Sequence, residues 1–360
     1  MSFFLEELKL KNFRSYEQAK YQFSPHRNII VGLNAVGKTN LVEAVYCLCF
    51  TKSFKNNKDA DLIKFGSSFF NLKGKFSNFE RTDNVLLSYD GKDKRIQKDN
   101  YVYKTISDYL GYVNAIVFSP DDLELVKGAP SVRRRFLDTN IGQINKEYLQ
   151  ASIKYKNVLK ERNEFLKSVV NEKTDDVLLD VITKGLIEYG KIIIKKRNAF
   201  ISDLNTYIKP IIKTISKEAE EIKIVYKPNT NVDNLWKTAN EKKFNDLMMK
   251  TTTWGPTRDD FEILVNGHLA ANYCSQGQIR TATLAIKLAL AEYIKQKNER
   301  IIVILDDVFS ELDNERQNQV LKLLDNNNQT FITTTTIESI DDAIKKESLV
   351  IEIERGNDND

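Results

Sequence analysis

Residues 32–39 read Gly-Leu-Asn-Ala-Val-Gly-Lys-Thr, which matches the pattern G-x-x-x-x-G-K-[ST] at every position. The apolar run 28–31 comes before it and predicts a buried strand. After it, apolar side chains at positions 41, 45, 48 and 49 fall on one face of a helix. Glycines let such a loop curl so that its N–H groups point at phosphate oxygens, beside the positive end of the helix. The sequence therefore predicts a phosphate-binding loop.

The residue types of this loop predict ATP and Mg²⁺ as cofactors. Lys38 brings a compact charge to the terminal phosphates and serves as a catalytic residue, and the hydroxyl of Thr39 is a ligand for Mg²⁺. We expect all eight loop residues to contact the nucleotide: Gly32, Leu33, Asn34, Ala35, Val36, Gly37, Lys38 and Thr39.

A carboxylate at the end of a neighbouring strand is needed to hold the metal. The apolar run 301–305 predicts a strand buried on both faces, with Asp306 at its tip as the second metal ligand. Asp307 is then placed to orient an attacking water. The alternative is that this pair of aspartates only ends a strand and caps the next helix.

A second half-site is predicted where residues 275–278 read Ser-Gln-Gly-Gln, just before a long helical stretch. Ser275 and Gln278 have the spacing of a helix capping box, which explains them without any ligand. The same geometry, with Gly277 allowing close approach, suits a γ-phosphate. In ABC-type ATPases a serine loop of this kind closes over ATP held by the other copy, and residues 310–313 resemble the segment that crosses that interface. An ATP-dependent homodimer is expected, with Ser275 as a catalytic residue and Gly277 and Gln278 as nucleotide contacts.

The predicted fold class is α/β, an ABC-type P-loop ATPase head with a mixed sheet and an inserted helical arm subdomain. Strands are expected over 3–31 and 68–118, and a largely parallel arrangement for strands near 261–265, 301–305, 330–333 and 349–353. Helical periodicity over 144–217 predicts a hairpin joined at 171–176, either an arm with a charged outer face or a core helix pair. Its outer face is assigned to Lys191, Lys195, Lys196 and Arg197. The division is 1–140 and 221–360 for the head and 141–220 for the arm.

Composition limits the remaining classes. The 360 residues carry a net charge of +4, which is compatible with a polyanion but does not by itself indicate one. Three cysteines and two histidines argue against a disulfide framework and a structural zinc site. Neither a secretory signal nor a membrane-spanning run is evident, so a cytoplasmic protein without membrane association is expected.

Several longer blocks make the chain resemble the RecF family of bacterial recombination mediators, relatives of the heads of structural-maintenance-of-chromosomes proteins. The blocks are residues 10–16, 32–39, 118–128, 133–138, 275–278 and 305–313. The resemblance implies a protein of DNA replication and repair that binds single-stranded or gapped duplex DNA, dimerises with ATP, and assists RecA loading with RecO and RecR. It implies a weak, DNA-stimulated ATPase acting as a switch. It also assigns Arg14 to the nucleotide phosphates.

Some positions depart from the family pattern and leave the rate of turnover open. Ala35 replaces a usual glycine, Phe54-Lys55 replaces a Ser-His-Arg-Thr-like run, and Thr257 stands where histidine is usual. Threonines at 333–336 occupy the place of a transporter's switch histidine. The densest basic cluster, 133–135, is expected to pair in part with Asp138, so residues contacting DNA are not identified.

Other functions remain open from the residues alone. The chief alternative is the ATP-hydrolysing subunit of an ABC-type membrane transporter, disfavoured by the long insert and by Asp307 in place of a glutamate. A nuclease-linked ATPase lacks a carboxylate-rich nuclease domain after Asp313. A scaffold that binds ATP without hydrolysing it is the third alternative.

Overall fold

A computed structural model describes residues 3–55, 58–78, 80–169, 175–216, 220–297, 301–309, 312, 314–324 and 328–354. They fall into two compact units, one within 1–122 and 284–360 and the other within 123–283. Residues 310, 311 and 313 of the expected interface segment lie outside the described residues, as do 171–174 of the expected helix connection. The division predicted from the sequence, with boundaries after residues 140 and 220, stays a prediction.

The helices and strands follow one another along the chain as β1 (Phe4–Phe13), β2 (Tyr16–Gln22), β3 (Arg27–Val31), α1 (Lys38–Phe50), β4 (Phe70–Ser77), β5 (Thr82–Tyr89), β6 (Lys94–Lys98), β7 (Tyr101–Val102), α2 (Ile106–Tyr109), β8 (Asn114–Phe118), α3 (Glu124–Lys127), α4 (Pro130–Ile144), α5 (Lys146–Ser168), α6 (Asp176–Ile215), β9 (Ile222–Lys227), α7 (Leu235–Met249), β10 (Asp260–Val265), β11 (His268–Leu269), α8 (Ala270–Tyr273), α9 (Gln276–Lys297), β12 (Ile301–Asp306), α10 (Asn314–Leu324), β13 (Gln329–Thr334), α11 (Asp342–Lys346) and β14 (Ser348–Glu352). Among the helices described, none has an apolar stretch long enough for a bilayer crossing.

The first unit contains a five-stranded sheet in the order β14-β3-β13-β12-β8, with every neighbouring pair parallel. All residues of β12 and β13 are buried, which explains the continuous apolar run 301–305 of β12. Because parallel strands end at the same edge, the end of β3 lies beside the ends of β13 and β14, and that of β12 lies next to β13. This edge therefore brings the loop after β3 towards Asp306.

Helix α1 packs between this sheet and a second, antiparallel one, in the order β2-β1-β4-β5-β6-β7. The sequence predicts one apolar face for α1, but every residue from Leu41 to Phe50 is buried. The helix is enclosed because it contacts strands of both sheets, β8, β12 and β13 on one side and β1, β4 and β5 on the other. Asp90 and Gly91 lie in the turn that joins the antiparallel strands β5 and β6.

The second unit is built on the predicted helix pair, α5 and α6, which pack against each other. A small antiparallel sheet in the order β11-β10-β9 packs on α6 through β9. The expectation that the strand near 261–265 belongs to a parallel arrangement is therefore wrong, because β10 pairs in antiparallel register with both neighbours.

The structure also corrects the placement of Arg197 on a charged outer face, because this side chain is buried, with 3% of its surface exposed. Arg197 lies four residues after Ile193 and three before Phe200, so helical spacing puts it on the apolar face of α6. Its Nη1 donates to Asp259 Oδ2 at 2.9 Å and its Nη2 to Asp138 Oδ1 at 2.8 Å. Two carboxylates thus compensate the buried charge.

The expected pairing of the basic cluster 133–135 with Asp138 is likewise wrong. Arg133 donates through Nε and Nη2 to the carboxylate of Asp260, at 2.6 and 2.9 Å. Arg134 donates to the carbonyl of Asp259 at 3.0 Å, while Arg135 is exposed. Groups at the start of β10 therefore replace the helical neighbour as partners, which sequence spacing cannot reveal.

Candidate nucleotide-binding site

The phosphate loop follows β3 and ends at the start of α1, as predicted. Gly37 is the N-cap of α1, with φ of 119°, and no side chain caps this helix end. The first N–H groups of the helix are therefore left for a ligand with acceptor oxygens, such as a phosphate. A Cβ on Gly37 would lie 2.9 Å from the hydroxyl of Tyr16, so both the backbone angle and the space require glycine here.

Lys38 and the loop carbonyls hold the cradle together. The ammonium of Lys38, which is 4% exposed, donates to the carbonyls of Gly32 at 2.8 Å and Leu33 at 3.0 Å. Leu33, Asn34 and Ala35 are exposed or partly exposed. Ala35, the departure from the family pattern, has φ of 66°, a left-handed conformation that disfavours side chains by about 1–2 kcal/mol.

The two predicted metal ligands meet in the structure. The hydroxyl of Thr39 donates to Asp306 Oδ1 at 2.9 Å, across 267 residues of sequence. The hydroxyl of Thr333 donates to the same oxygen at 2.9 Å and accepts from the backbone N–H of Asp307 at 2.9 Å. Asp307 has φ of 55°, a left-handed conformation, so the chain turns directly after β12.

Burial raises the pKa of the Asp306 carboxyl above its usual value, while the hydroxyl of Thr39 and the ammonium of Lys55 oppose the shift. Lys55 Nζ lies 3.7 Å from Asp306 Oδ2. A buried carboxylate beside a hydroxyl is a donor set that Mg²⁺ accepts, with remaining ligands from phosphates and water. Among the described residues, no group of three or more His, Cys, Asp or Glu is placed to hold a metal. The carboxylate of Asp306 and the hydroxyl of Thr39 fit Mg²⁺ as two of its ligands.

Several residues that support the loop could not be recognised in the sequence. Tyr16 donates its hydroxyl to the carbonyl of Gly37 at 3.2 Å, and Asn40 donates to the hydroxyl of Ser15 at 2.9 Å. Lys55 stands out in the sequence only as a departure from the family pattern. These contacts join residues at least 21 positions apart, so no local signal marks them.

Arg14, assigned by resemblance to the phosphates, is engaged elsewhere in this structure. Its Nε and Nη2 donate to the carboxylate of Glu43 at 2.8 and 2.7 Å, and its Nη1 to the carbonyl of Asp61 at 2.7 Å. Glu43 is 1% exposed and also accepts a hydrogen bond from Ser53. Arg14 thus ties the turn between β1 and β2 to α1, and its contact with phosphate stays a prediction.

The predicted second half-site lies in the second unit, at the start of α9. Ser275 N–H donates to Gln278 Oε1 at 3.0 Å, and Gln278 N–H donates to Ser275 Oγ at 3.3 Å. This reciprocal pair forms the capping box. Gly277 is exposed, and Ser275 and Gln278 are at least partly exposed. The helix start therefore has its cap and also an open surface.

Comparison with known proteins identifies the family. The family model of the RecF/RecN/SMC N terminal domain matches residues 4–357. A protein of Lactobacillus gasseri, named DNA replication and repair protein RecF, is 41% identical over 98% of both chains. The chain belongs to the RecF family. A RecF of the same name from Bacillus mycoides is 38% identical over 98% of this chain and 97% of its own.

Solved structures agree with this assignment to RecF. The recombination mediator protein RecF of the RecFOR pathway, solved with ATP, superposes with a TM-score of 0.91 at 33% identity, over 99% of this chain and 96% of its own. An Smc head domain from Pyrococcus furiosus, 17% identical, has a TM-score of 0.57 over 98% of this chain and 94% of its own. The second likeness concerns the fold alone. The predicted α/β ATPase-head fold is confirmed.

Proposed function

We propose that the protein is an ATP-dependent DNA-binding switch of replication and recombinational repair. The observation that carries this proposal is the hydrogen bond between Thr39 and Asp306, which joins the phosphate loop to the end of β12. It is supported by the RecF family membership and by the similarity to RecF solved with ATP.

In this proposal the chain binds ATP with its own backbone and one lysine. The uncapped start of α1 donates N–H groups to phosphate oxygens, and Lys38 exchanges its bonds to the loop carbonyls for bonds to the terminal phosphates. Thr39 and Asp306 would hold Mg²⁺, which when bound neutralises phosphate charge. Asp307 orients the water that attacks the terminal phosphate. Because aspartate is shorter than glutamate, turnover is slow, and the protein is a weak, DNA-stimulated ATPase.

The nucleotide acts between two copies. Ser275, Gly277 and Gln278 of one copy close over ATP held in the phosphate loop of the other, using N–H groups at the start of α9. The exposure of these residues supports this role, because nucleotide held by another copy can reach the start of α9 only if it is accessible. Hydrolysis removes the shared phosphate and releases the dimer.

The partners follow from the family. We propose single-stranded and gapped duplex DNA as the ligand, and assistance to RecA loading together with RecO and RecR, in the cytoplasm. The RecF of the solved ATP complex is described as a mediator of the RecFOR pathway, which supports RecO and RecR. The three-part division into head, arm and head, with boundaries after residues 140 and 220, is part of the proposal.

Light scattering with ATP, ADP and no nucleotide tests the switch. Lys38→Met is expected to abolish both ATP binding and ATP-driven dimerisation. Ser275→Arg is expected to block dimerisation while a fluorescent ATP analogue still binds. Asn240→Arg, which adds the same side chain at an exposed position of α7, serves as the control and dimerises normally. A dimer that forms in ATP with Ser275→Arg would contradict the shared site.

A further inference from the structure

One face of the antiparallel sheet in the first unit is open and basic. Along β1 and β4 the inward residues, such as Leu8, Leu10 and Leu72, are buried, while the alternate residues point outward. The strand register places Lys9 directly opposite Lys20 on β2 and directly opposite Lys73 on β4. Three lysines therefore form a row across three adjacent strands.

Further basic side chains extend this row. We call the whole set the basic face, and it consists of Lys9, Lys11, Lys20, Lys73, Lys75 and Arg95. Lys11 and Lys75 lie two residues from Lys9 and Lys73 on the same strands, and Arg95 lies outward on β6. Lys9 and Lys20 keep 51% and 44% of their side-chain surface exposed.

Acidic partners compensate this charge only in part. Glu7 is the carboxylate shared by Lys9 and Lys20, at 3.2 and 3.1 Å, and Glu6 pairs with Lys75 at 2.8 Å. No carboxylate of the described residues forms an ion pair with Lys73, which is exposed. The exposed ammonium groups can therefore accept an external anion without breaking a buried contact.

The arrangement is unfavourable for the sheet itself. Like charges directly opposite each other on neighbouring strands destabilise the pairing. A surface that only needs solubility intersperses both signs. Here six basic side chains stand against the two carboxylates of Glu6 and Glu7, although the net charge of the whole chain is only +4. The clustering therefore exceeds what composition would place there, and repulsion of this kind is relieved when a polyanion binds.

We propose that the basic face is the surface on which this protein binds the duplex part of its DNA, through backbone phosphates. The inference rests on the proposed function and supplies the DNA contacts that the sequence did not reveal. Neighbouring strands lie about 4.8 Å apart and alternate residues about 6.8 Å apart, so the lysines form a regular grid. The second spacing equals about two steps of the 3.4 Å rise along a DNA strand.

The polar residues of this face favour duplex over single-stranded DNA. Gln18, Gln22, Asn71 and Gln97 point outward among the basic residues and can donate to phosphate and sugar oxygens. The outward positions next to Lys9 on β1, β2 and β4 carry no aromatic ring, whereas single-strand binding sites generally stack successive bases on such rings. The ring of Phe69 lies just before β4, 5.7 Å from the ammonium of Lys11. Contacts with phosphate and sugar oxygens are independent of base sequence.

A salt titration of binding to a fluorescent 40-base-pair duplex tests the proposal. The triple variant Lys9→Gln, Lys20→Gln, Lys73→Gln removes the central row. Its slope of log affinity against log salt is expected to fall by about 2.7, at about 0.9 for each lost phosphate contact. Lys73→Gln alone lowers the slope by about 0.9. The matched control is Lys191→Gln, Lys195→Gln, Lys209→Gln, which removes three exposed lysines of α6 and keeps the wild-type slope.

The outcomes separate this inference from the function on which it rests. If the wild type binds no DNA even at low salt, the proposed function and the basic face both fail. If the wild type binds and the triple variant keeps its slope, only the basic face fails. In the triple variant, the affinity for a fluorescent ATP analogue is expected to stay unchanged. Its thermal midpoint is expected to stay unchanged or rise, because repulsion between the lysines is removed. Binding to vesicles rich in anionic lipid is measured as well, because such vesicles also present a dense negative charge. If the triple variant loses vesicle binding but keeps DNA binding, the proposal is overturned.

Discussion

Replacing Thr39 by valine tests the link between the phosphate loop and the metal ligand. Valine keeps the shape of threonine but has no hydroxyl, so the 2.9 Å hydrogen bond to Asp306 is lost. Hydrogen bonds to charged groups contribute about 1.5–3 kcal/mol. Asp306 keeps the hydroxyl of Thr333 at 2.9 Å and Lys55 at 3.7 Å, so we expect the lower end, about 1.5 kcal/mol.

This loss is measurable without nucleotide. A change of 1 kcal/mol shifts the melting temperature of a domain of about 150–250 residues by about 2–4 °C. The loss of about 1.5 kcal/mol is therefore expected to make Thr39→Val melt about 3–6 °C below the wild type. Burial already raises the pKa of Asp306, and the hydroxyl of Thr39 opposes that shift. Its removal is therefore expected to raise this pKa further.

The same variant separates metal binding from phosphate binding. The backbone cradle and Lys38 remain, so a fluorescent ATP analogue still binds without Mg²⁺. The gain in affinity on adding Mg²⁺ is expected to disappear, and Thr39→Ser, which keeps a hydroxyl, is expected to retain it. A valine variant that melts with the wild type and responds fully to Mg²⁺ would refute the assignment of Thr39 and Asp306 to the metal.

Charged contacts lead to three further predictions. Arg14→Ala is expected to lower the free energy of unfolding by about 3–5 kcal/mol, because it leaves the buried carboxylate of Glu43 without its cationic partner. In denaturant unfolding, the double variant Arg14→Ala, Glu43→Gln is expected to recover most of this loss. Equal losses in the single and the double variant would contradict the prediction. Lys55→Met is expected to lower the Mg²⁺ concentration for half-maximal nucleotide binding by up to about fivefold, or about 1 kcal/mol, the upper value for an ion pair whose lysine is exposed, whereas Lys55→Arg leaves it unchanged. Burial opposes ionisation of Asp138, but the guanidinium of Arg197 holds its pKa below the usual 3.8. The ion pair of Asp138 with Arg197 therefore stabilises the fold above pH 3.8, and this stability is lost as pH falls through the lower pKa of the folded state. In thermal unfolding, the advantage of wild type over Asp138→Asn is expected to shrink below about pH 4. A difference that stays constant with pH would argue against this ion pair.

The secondary-structure elements around the site could largely be predicted, because their signals are local. The strand before Gly32, the helix after it and the run ending in Asp306 are marked by apolar periodicity over a few residues. Contacts that join such elements were predicted only where a motif implies them. Thr39 and Asp306 were expected together for that reason, whereas Lys55 and Thr333 were not recognised as partners of Asp306.

Charged residues show where local sequence information ends. Helical spacing alone places Arg197 on the apolar face of α6, but its charge favours an exposed assignment. Only the fold supplies the two carboxylates that compensate its burial, Asp138 on α4 and Asp259 before β10. An ion pair depends on distance in space, and sequence separation carries little information about it.

The sequence by itself determined the phosphate loop and the capping box of Ser275, because both are built from contiguous residues whose geometry is set by glycine and by hydrogen bonds within one turn. It also places Lys9 and Lys11 two positions apart within a region predicted to form strands. The tertiary structure alone decided which strands lie side by side and in which register. That pairing brings the hydroxyl of Thr39 to Asp306 and sets Lys9 opposite Lys20 and Lys73. Long-range contacts arise from the packing of the whole core, which no single stretch of sequence specifies.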